Sequence, residues 1–206
     1  MAADAIGLIE HLGIAPCHVL GGSLGALITQ TVALTRPDLV RSATLLVGGG
    51  NFCRSARLSL EGQAALLETG VSIPESFQQA IMPEATLTPT LRQDDSMVDL
   101  ALQLTAGLST SFGPGGQYGQ VRADATWAGE DHSAELEDTQ VPCLVVSAEH
   151  DPYFSPTHLK QASQRIADST YVEIAGSLHV TADPTAVKQL EDAIAAFLQS
   201  QSSDPH

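Results

Sequence analysis

Positive charge is scarce in this chain: Lys and Arg total 9 against 24 Asp and Glu, a formal net charge of −15 over 206 residues. No basic patch occurs anywhere along it. Nucleic acids and anionic membranes are held by clustered cations, so neither is expected as a partner. No Lys or Arg precedes Arg36, and Asp4 and Glu10 stand near the start, so the charged n-region of a secretory signal is missing. No apolar run approaches the length needed to span a bilayer, and the default expectation is a cytoplasmic protein. Cysteine is rare too. Cys17, Cys53 and Cys143 are an odd number, two of them in strand-like apolar runs, which predicts reduced, buried thiols and no disulfide framework. Neither their spacing nor that of the histidines makes a metal site, and nothing calls for a cofactor.

What is present is 43% hydrophobic residues, enough for a sizeable core, and a strand-turn-helix built around one serine. Residues 18–26 read H-V-L-G-G-S-L-G-A. Residues 16–20 read as a buried parallel strand, residues 24–35 as a helix that Pro37 ends, and Ser23 falls on the sharp turn between them. Gly21 and Gly25 are expected there because Cβ atoms two residues either side would collide. With 17 glycines in the chain a G-x-S-x-G match is modest by itself, and the flanks make it specific.

A serine hydroxyl needs a base to take its proton, and the base needs a third group to hold its tautomer. Residues 141–147 form a second strand-like run, and the loop after it, Ala148-Glu149-His150-Asp151-Pro152, delivers a carboxylate: Asp151 is the expected orienting acid and Glu149 its rival. Residues 171–175 form a third run, followed by Gly176-Ser177-Leu178-His179, so His179 is the expected general base. Plainer roles stand beside each: Ser23 as a small turn residue, Asp151 as a turn former before Pro152, His179 as a loop or capping histidine. His18 is expected to pack or cap at the start of its strand, and His132 and His158 to stand at helix starts or in loops.

The order Ser23, Asp151, His179 resembles that of the α/β-hydrolase superfamily and differs from the chymotrypsin and subtilisin orders. The strings S-A-E-H-D-P-Y-F-S-P and A-G-S-L-H look like the family's acid and histidine loops. The resemblance covers most of the chain, from a helix at 4–12 through a strand at 43–47 to a last helix at 184–198. It implies a partial α/β-hydrolase fold: a mostly parallel sheet of about four strands flanked by helices, with a helical cap insertion. It also implies that the Leu24 amide holds an oxyanion, and it gives the acid slot to Asp151.

The departures matter as much. The family normally has eight strands, with the elbow after the fifth and an oxyanion loop after the third. Here the elbow arrives at residue 23, so those first strands and that loop have no counterpart, and the elbow strand is expected to become an edge with unpaired backbone and apolar surface. A fragment, a complementing polypeptide or pairing with another copy would each account for this, and the fragment is favoured because Met1 falls inside what resembles a mid-domain helix.

Residues 48–140 are expected to form the cap, with helices at 58–68, 75–82, 96–108 and 118–127, between core segments 1–47 and 141–199 and ahead of a disordered tail at 200–206. Phe52, Phe77, Met82, Met97, Phe112, Tyr118 and Trp127 could line an apolar or aromatic pocket, though at helical spacing such residues are more often cap core. Gly22, Gly49, Trp127 and Tyr153 are the candidate substrate contacts. The expected function is a serine hydrolase acting on a small, apolar or aromatic ester, lactone or related carbonyl through an acyl-enzyme on Ser23. Two alternatives stand. G-G-S-L-G is similar to the elbow of homoserine acyltransferases, which leaves acyl transfer open, and a catalytically idle subunit could use its bare edge to bind a partner.

Overall fold

Four short apolar runs form one parallel sheet: β1 (Cys17–Gly22), β2 (Val40–Leu46), β3 (Cys143–Ala148) and β4 (Ser169–Ile174), in the spatial order β1-β2-β3-β4. The computed structural model describes residues 1–71, 74–111, 116–181 and 183–202. Its helices are α1 (Ala2–Leu12), α2 (Leu24–Thr35), α3 (Arg54–Glu68), α4 (Glu75–Thr86), α5 (Asp95–Ser111), α6 (Gly116–Ala128), α7 (Pro156–Arg165) and α8 (Pro184–Ser202). Strand β3 is buried along its whole length, as a strand flanked on both sides and covered on both faces must be. Among the described residues β1 pairs with β2 alone and alternates half-buried with exposed residues, so the expected edge is there.

The two faces of the sheet are covered unequally. Helices α1, α2 and α7 close one face over a core of Leu27, Val32, Leu45, Val145, Phe154 and Leu159. Among the described residues the other face carries only α8, whose Ala186 and Phe197 pack on Leu144, Val146 and Ile174. α8 contacts β2, β3 and β4. Leu20, in register with Thr44 on that face of β1, is 50% exposed.

Several boundaries differ from the sequence reading, each for a local reason. β3 starts after Pro142, which has no amide to give to the ladder. β2 begins at Val40, where it meets Cys17 of β1. The helix expected at residues 75–82 runs on through Pro83 to Thr86, where the Leu87 amide bonds back to Pro83 O and the helix packs on α5. The crossover helix α7 was not anticipated; Ser155 caps it by accepting from the His158 amide, and Pro156 opens it. α8 continues past residue 198 to Ser202, so the first part of the expected tail is helical, while residues 203–206 lie outside the described residues. So do Phe112, the break at residues 113–115 and the Met82 side chain. Among the described residues no helix is long and apolar enough to cross a membrane.

Candidate active site

Three loops at the carboxyl ends of β1, β3 and β4 bring the expected residues together. Ser23 sits between β1 and α2 with φ 54° and ψ −122°, a left-handed backbone that costs a non-glycine residue about 1–3 kcal/mol and needs its surroundings to enforce it. The enforcement is visible. The Ser23 amide donates to Leu46 O at 2.9 Å, and Ser23 O accepts from the Ala26 amide at 2.9 Å. A Cβ on Gly21 would lie 2.1 Å from Gly25 O, and one on Gly48 would lie 2.6 Å from Ser23 O. The collision expected at Gly25 is absent: a Cβ there meets nothing within 4 Å, because it points away from the turn.

Ser23 Oγ donates to His179 Nε2 at 2.8 Å, and His179 Nδ1 donates to Asp151 Oδ2 at 2.8 Å. The Asp151 side chain is wholly buried and 11% of that of His179 is exposed. A buried carboxylate must be fully hydrogen-bonded, and Asp151 Oδ1 accepts from the Tyr153 and Phe154 amides at 2.7 and 2.9 Å. Glu149, the rival acid, does something else: its Oε2 accepts from the Gly176 amide at 2.7 Å and so ties the acid loop to the histidine loop. The Leu24 amide opens α2, where the first amides of a helix have no partner within it. An imidazole linked in this way can take a proton from the hydroxyl while the carboxylate stabilises its charged form.

The four candidate substrate contacts separate. The Tyr153 ring stands edge-on to His179 with centroids 4.8 Å apart, and Phe154, tilted against Phe52, lies 6.3 Å from the His179 ring. Gly22 lines a cavity of ≈220 Å³ that runs from His179 and Leu178 to Val187 and Leu190 of α8. Gly49 is buried, and its open side faces Leu45 and Gln30 in the core. Trp127 is a strut: its Nε1 donates to Gly50 O at 2.9 Å and its ring stacks on His132 at 3.6 Å. Gln30 Oε1 accepts from the Gly50 amide at 2.7 Å, so the 48–50 loop is held from both sides. A larger groove of ≈740 Å³ between Asn51 and His158 contains none of the three linked residues.

Two of the other histidines have structural partners, while Phe77, a candidate pocket residue, is 54% exposed. His18 bonds Ser42 across β1 and β2 at 2.7 Å, and His132 bonds Glu135 at 2.7 Å. All three cysteines are free, and burial pushes the Cys143 thiol up to about 12.

One residue went unnoticed in the sequence. Asp124 of α6 is 9% exposed, interacts electrostatically with His179 and with Tyr153, and is pushed up to about 6, chiefly by burial, with His179 opposing the shift. Its signal was available: in R-A-D-A-T-W-A it shares a helical face with Trp127 and Ala128, three and four positions on.

The profile of the family described as alpha/beta hydrolase fold matches residues 1–183. The chain belongs to that family. A Mycobacterium tuberculosis protein bearing the name non-heme bromoperoxidase is 27% identical to this α/β-hydrolase over 197 residues, which span 91% of this chain and 71% of that protein. Its crystal structure superposes with a TM-score of 0.85 at 23% identity, covering 98% of this chain and 73% of that one. Rhodomycin D methylesterase of Streptomyces peucetius is 25% identical over 222 residues, 97% of this chain and 72% of its own. The (E)-2-((N-methylformamido)methylene)succinate hydrolase of Acinetobacter baylyi is 26% identical over 198 residues, 95% of this chain and 70% of its own.

Proposed function

We propose that this protein is a serine hydrolase of ester, lactone or related carbonyl substrates, working through an acyl-enzyme on Ser23. The observation that carries the reading is the unbroken hydrogen-bonded chain from Ser23 Oγ through the His179 ring to the buried Asp151 carboxylate. His179 Nε2 takes the hydroxyl proton as Ser23 Oγ bonds to the carbonyl carbon, and the carbonyl oxygen becomes an oxyanion facing the Leu24 amide. His179 then gives that proton to the leaving oxygen, and the C–O bond to the leaving group breaks. Water repeats the sequence: His179 takes its proton, its oxygen bonds to the acyl carbon, and the acid departs as Ser23 recovers its hydrogen. Asp151 keeps Nδ1 protonated throughout and offsets the charge on the imidazolium.

Relatives named as a methylesterase and as a hydrolase of a substituted succinate support hydrolysis as the reaction class. The apolar lining of the cavity beside Gly22 and His179 favours a small apolar acyl or aromatic group there. Leu24 supplies one oxyanion donor through its backbone amide, and such a donor is worth about 10²- to 10³-fold in turnover.

The open β1 edge favours one addition. A second copy of the chain, or a complementing polypeptide, pairs along it and covers Leu20. The test of the main reading is a fluorophosphonate probe, which needs only an activated serine. Ser23 is labelled in the wild-type protein and labelling is lost in Ser23→Ala. A folded wild-type protein that takes no label overturns the hydrolase reading, and an assembly larger than a monomer that takes none supports a binding subunit instead.

A further inference from the structure

The turn that carries Ser23 leans on a second residue with a positive φ. Val47 follows β2 directly and stands at φ 41°, a conformation in which a β-branched residue is a genuine outlier. Contacts pin it on both sides. Its own amide donates to Val146 O at 2.8 Å, and Leu46 O before it accepts from the Ser23 amide at 2.9 Å. Gly48 after it packs so closely on the serine turn that a Cβ there would lie 2.6 Å from Ser23 O. Glycine adopts such a backbone freely, and the chain places glycine at residues 49 and 50, where φ is 125° and 59°. At residue 47 it keeps valine.

The backbone bonds of residue 47 would be the same with glycine, so what valine adds is its isopropyl group. Val47 lines the ≈220 Å³ cavity that His179 and Gly22, the neighbour of Ser23, also line, with Val187 and Leu190 on the α8 side. No Lys, Arg, Asp or Glu stands among the described residues around this cavity. Its two buried serines spend their hydroxyls elsewhere, Ser147 on the Tyr171 hydroxyl at 2.7 Å and Ser177 on Ile174 O at 2.6 Å. Both ring nitrogens of His179 are engaged with Ser23 and Asp151. A guest therefore meets mostly carbon, and a strained residue is kept where that guest would lie.

We propose that this cavity holds the acyl chain of the substrate, an uncharged, unbranched alkyl chain of up to about six carbons, and that Val47 is a specificity-determining residue held in a strained backbone to wall it. The proposal rests on the serine hydrolase reading, because the acyl chain is defined by its bond to Ser23. A cavity of about 150 Å³ takes a benzene ring, so ≈220 Å³ has room for about six carbons. The acyl group stays on Ser23 through both halves of the reaction, whereas the alcohol has to escape between them, so a walled cavity suits the acyl group. A chain that ends in a carboxylate would lose its hydration there and find no cation in exchange.

Unbranched alkylboronic acids test this without turnover, since boron accepts the serine oxygen and the alkyl group lies where the acyl chain would. Ethyl-, hexyl- and decylboronic acid are titrated against the full chain, Ser23→Ala, Val47→Gly and Val187→Phe, beside fluorophosphonate labelling of the wild type. Hexylboronic acid binds the wild type at least about tenfold more tightly than ethylboronic acid, as burial of the added methylenes requires, and decylboronic acid gains nothing further. Val187→Phe, which fills the cavity from α8, brings the hexyl-to-ethyl ratio to within about threefold. Val47→Gly lowers that ratio at least about threefold and leaves the thermal midpoint unchanged or higher, because the relieved backbone offsets the lost contact. A merely structural Val47 gives the reverse, a shifted midpoint and an intact ratio, and that result overturns its role. A labelled wild type with a flat series, a hexyl preference that survives Val187→Phe, or hexylboronic acid that binds Ser23→Ala equally well overturns the proposal alone. Should Val187→Phe not fold, the ratio in Val47→Gly decides. A folded wild type that takes no label overturns the hydrolase reading and this proposal with it.

Discussion

Gly21 and Gly25 flank Ser23 symmetrically in the sequence and asymmetrically in space. A methyl group at residue 21 would be driven into Gly25 O, while one at residue 25 meets open space. Gly21→Ala is therefore expected to destabilise the fold by about 1–3 kcal/mol, as overpacking does. Gly25→Ala should be neutral or slightly stabilising, because alanine is the better helix former and position 25 opens α2. Urea denaturation of the two variants beside the wild type measures the difference, and equal losses would contradict this account of the turn. At this scale the linked residues were legible because their chemistry demands particular types in particular loops: a serine between glycines, an acid after one strand, a histidine after the next. Asp151 could be separated from Glu149 only through the family order, and the structure shows why the two differ. Asp151 accepts two amides of its own loop and reaches His179, whereas Glu149 reaches across to Gly176. Asp124 stayed hidden because its burial depends on what packs against α6, which no local pattern announces.

Among the elements, α2 was read with both ends correct, since the serine turn opens it and Pro37 follows its end. The strands were found, but their ends moved, because register with a neighbour sets where a ladder begins: β2 starts where Cys17 waits, and β4 where Cys143 does. α7 was missed for a different reason. It carries buried Leu159 and Ala162 among polar residues, a thin apolar stripe that closes only when laid on β3 and β4. The segment between β2 and β3 was legible as helices but not in its attachment, which runs through the 48–50 loop and Trp127. Trp127→Phe keeps most of the ring and removes one hydrogen bond to Gly50 O, so a loss of about 1 kcal/mol is expected from thermal or urea unfolding. No loss would mean that the stack on His132 alone fixes the end of α6.

In the whole molecule the imbalance lies between the two sheet faces and the two sheet edges. One face has three helices and the other has α8, which contacts β2, β3 and β4. Leu20 of β1, and Leu8, Leu12 and Ile14 of α1 and the loop after it, are each more or less half exposed. The matched relatives extend beyond the aligned part, which covers 71% of the M. tuberculosis protein. Among the described residues the acid rides on β3, paired on both sides, and the base on the edge strand β4, which α7 and α8 cover, whereas the nucleophile rides on the other edge, β1, whose Leu20 is left half exposed. Warming should loosen that outermost ribbon first and carry the hydroxyl away from its imidazole while most helices persist. Chemical competence then fails several degrees before the circular dichroism midpoint, and coincident midpoints for probe labelling and ellipticity would mean that β1 is as firmly seated as the rest.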